Sequence, residues 1–252
     1  LVIRNKLRVA ILFMALSCHA GAQDVDVAVA SNFAAIMQDI KGRFEKNSPY
    51  QVRLSFGSSG KIFAQIQHGA PFDMFLSADQ AKPEALEELG LGVKGSRFTY
   101  AVGGLALWSS ETGITPTDLE AMLKGAKMNK LALANPKLAP YGVAAAQVLE
   151  QLDIKALTEP NWVMGENIAQ TYQFVATGNA KLGFVALSQV LQDNKVKTGS
   201  AWIIPQTLYY PIRQQAVLLQ RGRENMAANA LLNYLKSAEA REIITSYGYT
   251  TE

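Results

Sequence analysis

The chain has 252 residues, 49% of them hydrophobic and 18% charged, with 24 basic and 21 acidic side chains. That length and composition suit one large or two small domains with a full core, and they exclude a disordered or fibrous protein. The single cysteine, Cys18, and the two histidines, His19 and His68, exclude a disulfide scaffold and a histidine–cysteine metal centre.

The N-terminus comes first because it changes the charge. Arg4, Lys6 and Arg8 precede the apolar run "VAILFMALSC" and then "AGA", an A-x-A cleavage pattern ahead of Gln23. This reads as a secretory signal peptide over residues 1–22, with an apolar run too short to span a bilayer. Lipidation at Cys18 is disfavoured, since "ALSC" lacks the leucine three places earlier that such sites carry. Without the leader the chain holds 21 basic and 21 acidic residues and no cysteine. Its neutrality argues against nucleic acid as a partner, and a cysteine-free exported chain suits a bacterial periplasm.

Strand and helix patterns then alternate, which indicates an α/β fold. "VDVAV" (25–29) has period two, and Phe33, Ile36, Ile40 and Phe44 form a helical stripe. "YQVRLSF" is the second strand, followed by a helix carrying Ile62, Phe63 and Ile66. "PFDMFLSAD" is the third strand, followed by a helix that Gly90 closes. From "RFTYAVGGLALWSS" a second series begins. Thr115 caps a helix with Pro116 in its first turn, "KLALANP", "NWVMG" and "KLGFVAL" are strands, and "YGVAAAQVLEQL" and "NIAQTYQFVATGN" are helices. After "TLYYPIRQQAVLLQRG" the tail is helical. Two crossings, near residues 100 and 210, would divide the chain into one lobe of residues 23–101 plus 214–252 and another of 102–213. The cleft between them is the expected ligand site.

Four strand-to-helix junctions share a small, polar, nearly uncharged character: Ala30–Asn32, Gly57–Lys61, Ala139–Gly142 and Gly165–Ile168. Each would present unpaired N–H groups at the positive end of a helix, and two add hydroxyls. Any one of them is also what ordinary helix capping looks like. Converging in a cleft, they would suit a fully ionised oxyanion, with Glu166 as the only acceptor in reach for a protonated one. "GSSGK" is not a nucleotide-binding loop, because Gly57 and Gly60 are too close and Ile62 replaces the hydroxyl. It is not G-x-S-x-G either. A secreted serine hydrolase built on Ser58 or Ser59 would have only His68 as its base, so no enzyme is expected.

"VAVASNFAAIMQDI", "LSFGSSGKIFAQI", "GAPFDMFLSADQ", "LALANPKLAPYGVAAAQVL" and "LGFVALSQV" together resemble the periplasmic molybdate-binding proteins of ABC transporters, over roughly Val25 to Gly248. The resemblance implies a type II periplasmic binding protein fold: two α/β lobes with two crossover strands and the ligand in the interlobe cleft. It implies molybdate or tungstate as ligand, a membrane permease as partner, a monomer, and no cofactor. The molybdenum would be held as molybdate through hydrogen bonds, with no direct protein–metal ligands. Carried over by position, the implied binding residues are Ser31, Ser59, Tyr141 and Ile168. Many members also use a tyrosine where this chain has Ala186. Others lack it and use an asparagine beside the first serine and a tyrosine in the "P-Y-G" phrase, a variant that Asn32 and Tyr141 match. The departure at Ala186 bears on the fifth contact and on selectivity, leaving another tetrahedral oxyanion such as sulfate as the alternative ligand.

Overall fold

A computed structural model describes residues 24–125, 130–192 and 195–252; the leader, its cleavage pattern, Cys18 and His19 lie outside the described residues. The first run comprises β1 (Asp24–Ala30), a 3-10 turn (Ser31–Phe33), α1 (Ala34–Asn47), β2 (Gln51–Gly57), α2 (Ser59–Gln67), β3 (Met74–Ser77), α3 (Ala81–Glu88) and β4 (Phe98–Gly103). The second comprises β5 (Leu105–Ser109), α4 (Pro116–Lys124), β6 (Leu131–Ala134), α5 (Pro140–Gln151), α6 (Lys155–Thr158), β7 (Trp162–Gly165), α7 (Ile168–Ala176), β8 (Leu182–Ala186), α8 (Leu187–Val190), the short pair β9 (Leu191–Gln192) and β10 (Lys195–Val196), and β11 (Ser200–Ile203). The chain then returns through β12 (Ile212–Leu218) to α9 (Met226–Leu235) and α10 (Ala238–Ser246).

Two five-stranded sheets result, in the orders β2-β1-β3-β12-β4 and β11-β5-β8-β6-β7. In the first, β1 runs parallel to β2 and β3, while β12 is antiparallel to β3 and β4. In the second, β6 is parallel to β7 and β8, and β5 is antiparallel to β8 and β11. The chain crosses between sheets at Gly103–Gly104 and again over residues 204–211, just before Ile212 pairs with Gly103.

Alternation along the strands assigns each sheet two buried faces, as helices on both sides require. Val25, Val27 and Val29 pack with Ile36, Ile40 and Phe44 of α1 and with Leu231, Leu235 and Ile244 of the C-terminal helices. Ala28 faces the other way, against Ile62, Ile66 and Leu86 of α2 and α3. In the second lobe Leu107, Leu133 and Phe184 pack on α4 and α5, while Ala106, Ala132 and Val185 face Val175 and Val190. Each such fully buried aliphatic or aromatic side chain contributes about 1.5–3 kcal/mol.

Helix ends follow the sequence signals. Thr115 Oγ1 accepts from the Asp118 N–H (3.1 Å), and the Asp118 carboxylate accepts from the Thr115 N–H (3.3 Å), a complete capping box. Thr115→Ala is expected to cost about 1 kcal/mol in urea unfolding, without changing ligand affinity. Gly178, at φ 75°, ends α7 in the left-handed region that favours glycine. Gly142 is required for a different reason. A Cβ there would lie 2.9 Å from the Asn135 carbonyl carbon and closer still to the Ala134 oxygen. Only glycine lets the first turn of α5 sit directly on the end of β6.

Candidate functional site

The chain's strand-to-helix junctions meet between the lobes. The 3-10 turn after β1 and the start of α2 come from one lobe, and the starts of α5 and α7 from the other. They enclose a cavity of about 10 Å³. Ser31, Asn32, Ser59, Tyr141 and Ile168 all line it, joined by Ser58 and Asn167, and among the described residues no charged one does. The five residues singled out in the sequence are therefore brought together, across up to 137 positions of chain.

Hydrogen bonding within each turn identifies the donors that remain. At α5, Pro140 has no N–H, and the N–H groups of Gly142 and Val143 both go to the Ala139 oxygen (2.9 and 3.2 Å). The Tyr141 N–H is left over, since a first-turn donor has no partner inside its own helix. At α2, Lys61 N–H goes to Ser58 Oγ and Ile62 N–H to Ser58 O, while Gly60 N–H crosses to the Leu138 oxygen of the other lobe (2.9 Å). Ser59 N–H remains. At α7, Asn167 caps by accepting from the Gln170 N–H (3.0 Å), and Ile168 and Ala169 N–H remain.

Ser59 is the best-oriented hydroxyl. Its Oγ accepts the Ala78 N–H at 2.9 Å, so its own proton is free to point at another acceptor. Ser58, its neighbour, is instead the helix cap. Three helix starts aimed at one small space add roughly half a positive charge each, with no formal cation in the wall. The arrangement offers donors only. It fits an anion that carries no proton.

The family model for bacterial extracellular solute-binding proteins matches residues 25–250. The chain belongs to that family. Among its relatives, the molybdate-binding protein ModA of Azotobacter vinelandii is 54% identical over 234 residues, 93% of this chain and 92% of the relative. ModA of Rhodobacter capsulatus is 47% identical over 241 residues, covering 96% and 94%. The solved periplasmic molybdate-binding protein of Azotobacter vinelandii matches with a TM-score of 0.85 at 38% identity, over 90% of this chain and 99% of that one. The sulfate-binding protein SubI of Mycobacterium tuberculosis H37Rv matches at 0.74 and 11% identity, over 90% and 86%; that likeness concerns the fold alone. The two-lobed binding-protein fold expected from the sequence is the one observed.

In this solute-binding protein the side chains of Asn32 and Tyr141 are turned away from donating to the cavity. Both hydrogens of Asn32 Nδ2 are committed, one to Gln214 Oε1 and one to the Tyr249 hydroxyl, each at 2.8 Å. The Tyr141 hydroxyl accepts from Gln214 Nε2 at 3.1 Å. Burial raises the Tyr141 phenol well above its ordinary range, so it keeps its proton. What Tyr141 leaves at the cavity is its backbone N–H. Ala186, at the end of β8, is fully buried and supplies no side-chain donor. Its N–H goes to Gln189 Oε1 (2.9 Å), and Gln189 Nε2 in turn donates to the Ile168 oxygen (3.2 Å), fixing the start of α7.

At the rim, Lys61 Nζ meets Glu166 Oε1 at 2.9 Å, one from each lobe, with half-exposed side chains. Glu166 is thus engaged outside the cavity. An exposed pair of this kind contributes about 0–1 kcal/mol. Glu166→Gln is expected to change anion affinity less than about fivefold in a calorimetric titration at 0.15 M salt. His68 lies at the far end of α2, roughly 13 Å along the helix from Ser59, with Nδ1 on the Ala64 oxygen. It cannot serve either serine as a base. Among the described residues no cluster of histidine, cysteine and carboxylate side chains could hold a metal ion.

Proposed function

We propose that the chain captures molybdate, and tungstate comparably, as the exported solute-binding protein of an ABC transporter. One observation carries the reading: a carboxylate-free cavity between two lobes, into which hydroxyls and unpaired first-turn N–H groups converge. The close relatives named for molybdate binding supply the ligand. Ser31 and Ser59 hydroxyls, and the N–H groups of Tyr141 and Ile168, are the proposed contacts; Asn32 contributes its backbone. The metal is approached only through its oxygens. Closure of the lobes completes the cage, and the closed form is what a membrane permease would recognise.

Molybdate, tungstate and sulfate are all tetrahedral dianions at neutral pH, so a donor-only wall cannot sort them by charge. It can sort them by size. A cage fitted to the longer metal–oxygen bond leaves sulfate with stretched bonds, and each charged hydrogen bond lost forfeits about 1.5–3 kcal/mol. Two or three suffice for a preference of several thousandfold at equal concentration. The test is a calorimetric titration of residues 23–252 with molybdate, alone and in excess sulfate. One-to-one binding that sulfate leaves unchanged is expected. Heat abolished by sulfate would move the reading to a sulfate binder, and turnover of an ester substrate would move it to an enzyme.

A further inference from the structure

Behind the cavity lies a second polar cluster, of which only Asn32 and Tyr141 reach the cavity wall. Its centre is Gln214 on β12, which is completely buried. Gln214 Oε1 accepts from Asn32 Nδ2 (2.8 Å) and from the Tyr100 hydroxyl (3.0 Å). Its Nε2 donates to the Tyr141 hydroxyl (3.1 Å), and Asn32 Nδ2 ties Tyr249 into the cluster by donating to that hydroxyl (2.8 Å). Ser188 Oγ completes the cluster, 3.0 Å from the Tyr249 hydroxyl and 3.2 Å from the Asn32 oxygen.

The members come from both lobes. Asn32, Tyr100, Gln214 and Tyr249 belong with the first sheet and its C-terminal tail, while Tyr141 and Ser188 stand on α5 and α8 of the second. The cluster is therefore fully satisfied only with the lobes together. A buried polar network whose three cross-lobe links, Gln214 to Tyr141 and Ser188 to Tyr249 and to the Asn32 oxygen, break on opening favours the closed arrangement, because the orphaned groups are costly. Gln214 reaches this position through an irregularity. The β12–β4 register shifts between Gln214 and Gln215, and both glutamines are buried because β12 is covered on both faces. Gly103 completes the fit: a Cβ there would lie 2.7 Å from Gln214 Nε2 and nearer still to the Tyr141 hydroxyl.

We propose that Gln214 is a positioning residue for anion capture: it holds the Asn32 and Tyr141 side chains out of the cavity and joins the lobes in the arrangement that brings their helix starts together. The proposal rests on the reading of that cavity as the anion site. Gln214 makes no contact with the cavity itself, so it acts through Asn32 and Tyr141.

The experiment is a double-mutant cycle on residues 23–252, with Gln214→Leu, Tyr141→Phe and both together. Molybdate affinity, its dissociation rate and the ligand-free melting temperature are measured for each. Gln214→Leu is expected to weaken molybdate binding about tenfold, mainly through faster dissociation, the size of one buried hydrogen bond. Tyr141→Phe is expected to lose a similar factor, and the double variant no more than the worse single one, because both break the Gln214–Tyr141 link between the lobes. A merely structural role would lower the ligand-free melting temperature and leave the affinity of the folded fraction unchanged; that result overturns the proposal. So do losses that multiply, which would mean the Tyr141 hydroxyl meets the anion independently. If Gln214→Leu does not fold, Gln214→Met, which removes the same hydrogen bonds with an unbranched side chain, takes its place in the cycle with the same expected non-additivity. A wild-type chain that binds no molybdate would overturn the anion reading itself, and the positioning role with it.

Discussion

Ser59→Ala is expected to weaken molybdate binding roughly 10- to 100-fold, the loss of one hydrogen bond to a charged acceptor, about 1.5–3 kcal/mol. The reason lies in what the hydroxyl already does. Accepting the Ala78 N–H at 2.9 Å fixes the oxygen and leaves only the proton to be given away. Alanine removes both roles, so a stability loss of about 1 kcal/mol should accompany the affinity loss. Ser58→Ala is the control. Its oxygen caps α2 at Lys61 N–H, so removing it should cost stability by about 1 kcal/mol and little affinity. Calorimetry and urea unfolding on both variants separate the two serines. Equal affinities for Ser59→Ala and the wild type would remove Ser59 from the site.

Gly60→Ala is expected to split stability from affinity. Gly60 is the second residue of α2, where alanine should gain up to about 1 kcal/mol of helix propensity in the ligand-free protein. In the closed arrangement, however, the new Cβ would lie 2.9 Å from the Leu138 oxygen and 3.1 Å from its Cα. Leu138 belongs to the opposite lobe, so the clash exists only when the lobes meet. It also threatens the Gly60 N–H to Leu138 oxygen bond of 2.9 Å. Overpacking and a compromised hydrogen bond together cost about 2–3 kcal/mol, a roughly 30- to 150-fold weaker Kd. The melting temperature without ligand should hold or rise, and the ligand-induced increase should shrink. A variant that loses stability and keeps affinity would contradict the role given to this contact.

Much of this architecture could be read from the residues. The period-two runs and the helical stripe of Phe33, Ile36, Ile40 and Phe44 are local signals, and all four of those side chains are buried. The Thr115–Pro116 start and the Gly178 stop are equally local. The site was legible as a repeated junction type, since each helix start advertises its unpaired donors wherever the lobes later place it. Side-chain direction was not. Asn32 and Tyr141 fit the part of donors to the anion, yet their partners, Gln214 and Tyr249, stand 182 and 217 residues from Asn32. No periodicity encodes such a meeting. Gln214 carried one faint sign, a pair of glutamines in an apolar strand, but the register shift beside it depends on the β4–β12 pairing and its burial on the layers that cover β12. Gly60 and Gly142 were visible as glycines, and the carbonyls that require them lie on other elements.

The most direct measurement is diffraction at the molybdenum edge from crystals grown with molybdate. A single anomalous peak is expected inside the cavity, with the surrounding oxygens within hydrogen-bond reach of Ser31 and Ser59 Oγ and of the Tyr141 and Ile168 N–H groups, and with no carboxylate against the ion. A peak elsewhere, such as the interlobe groove of about 410 Å³ lined by Asp79, Lys82, Lys137 and Arg213, would contradict the account. So would a peak in the cavity with the Asn32 and Tyr141 side chains released from Gln214 and turned onto the anion.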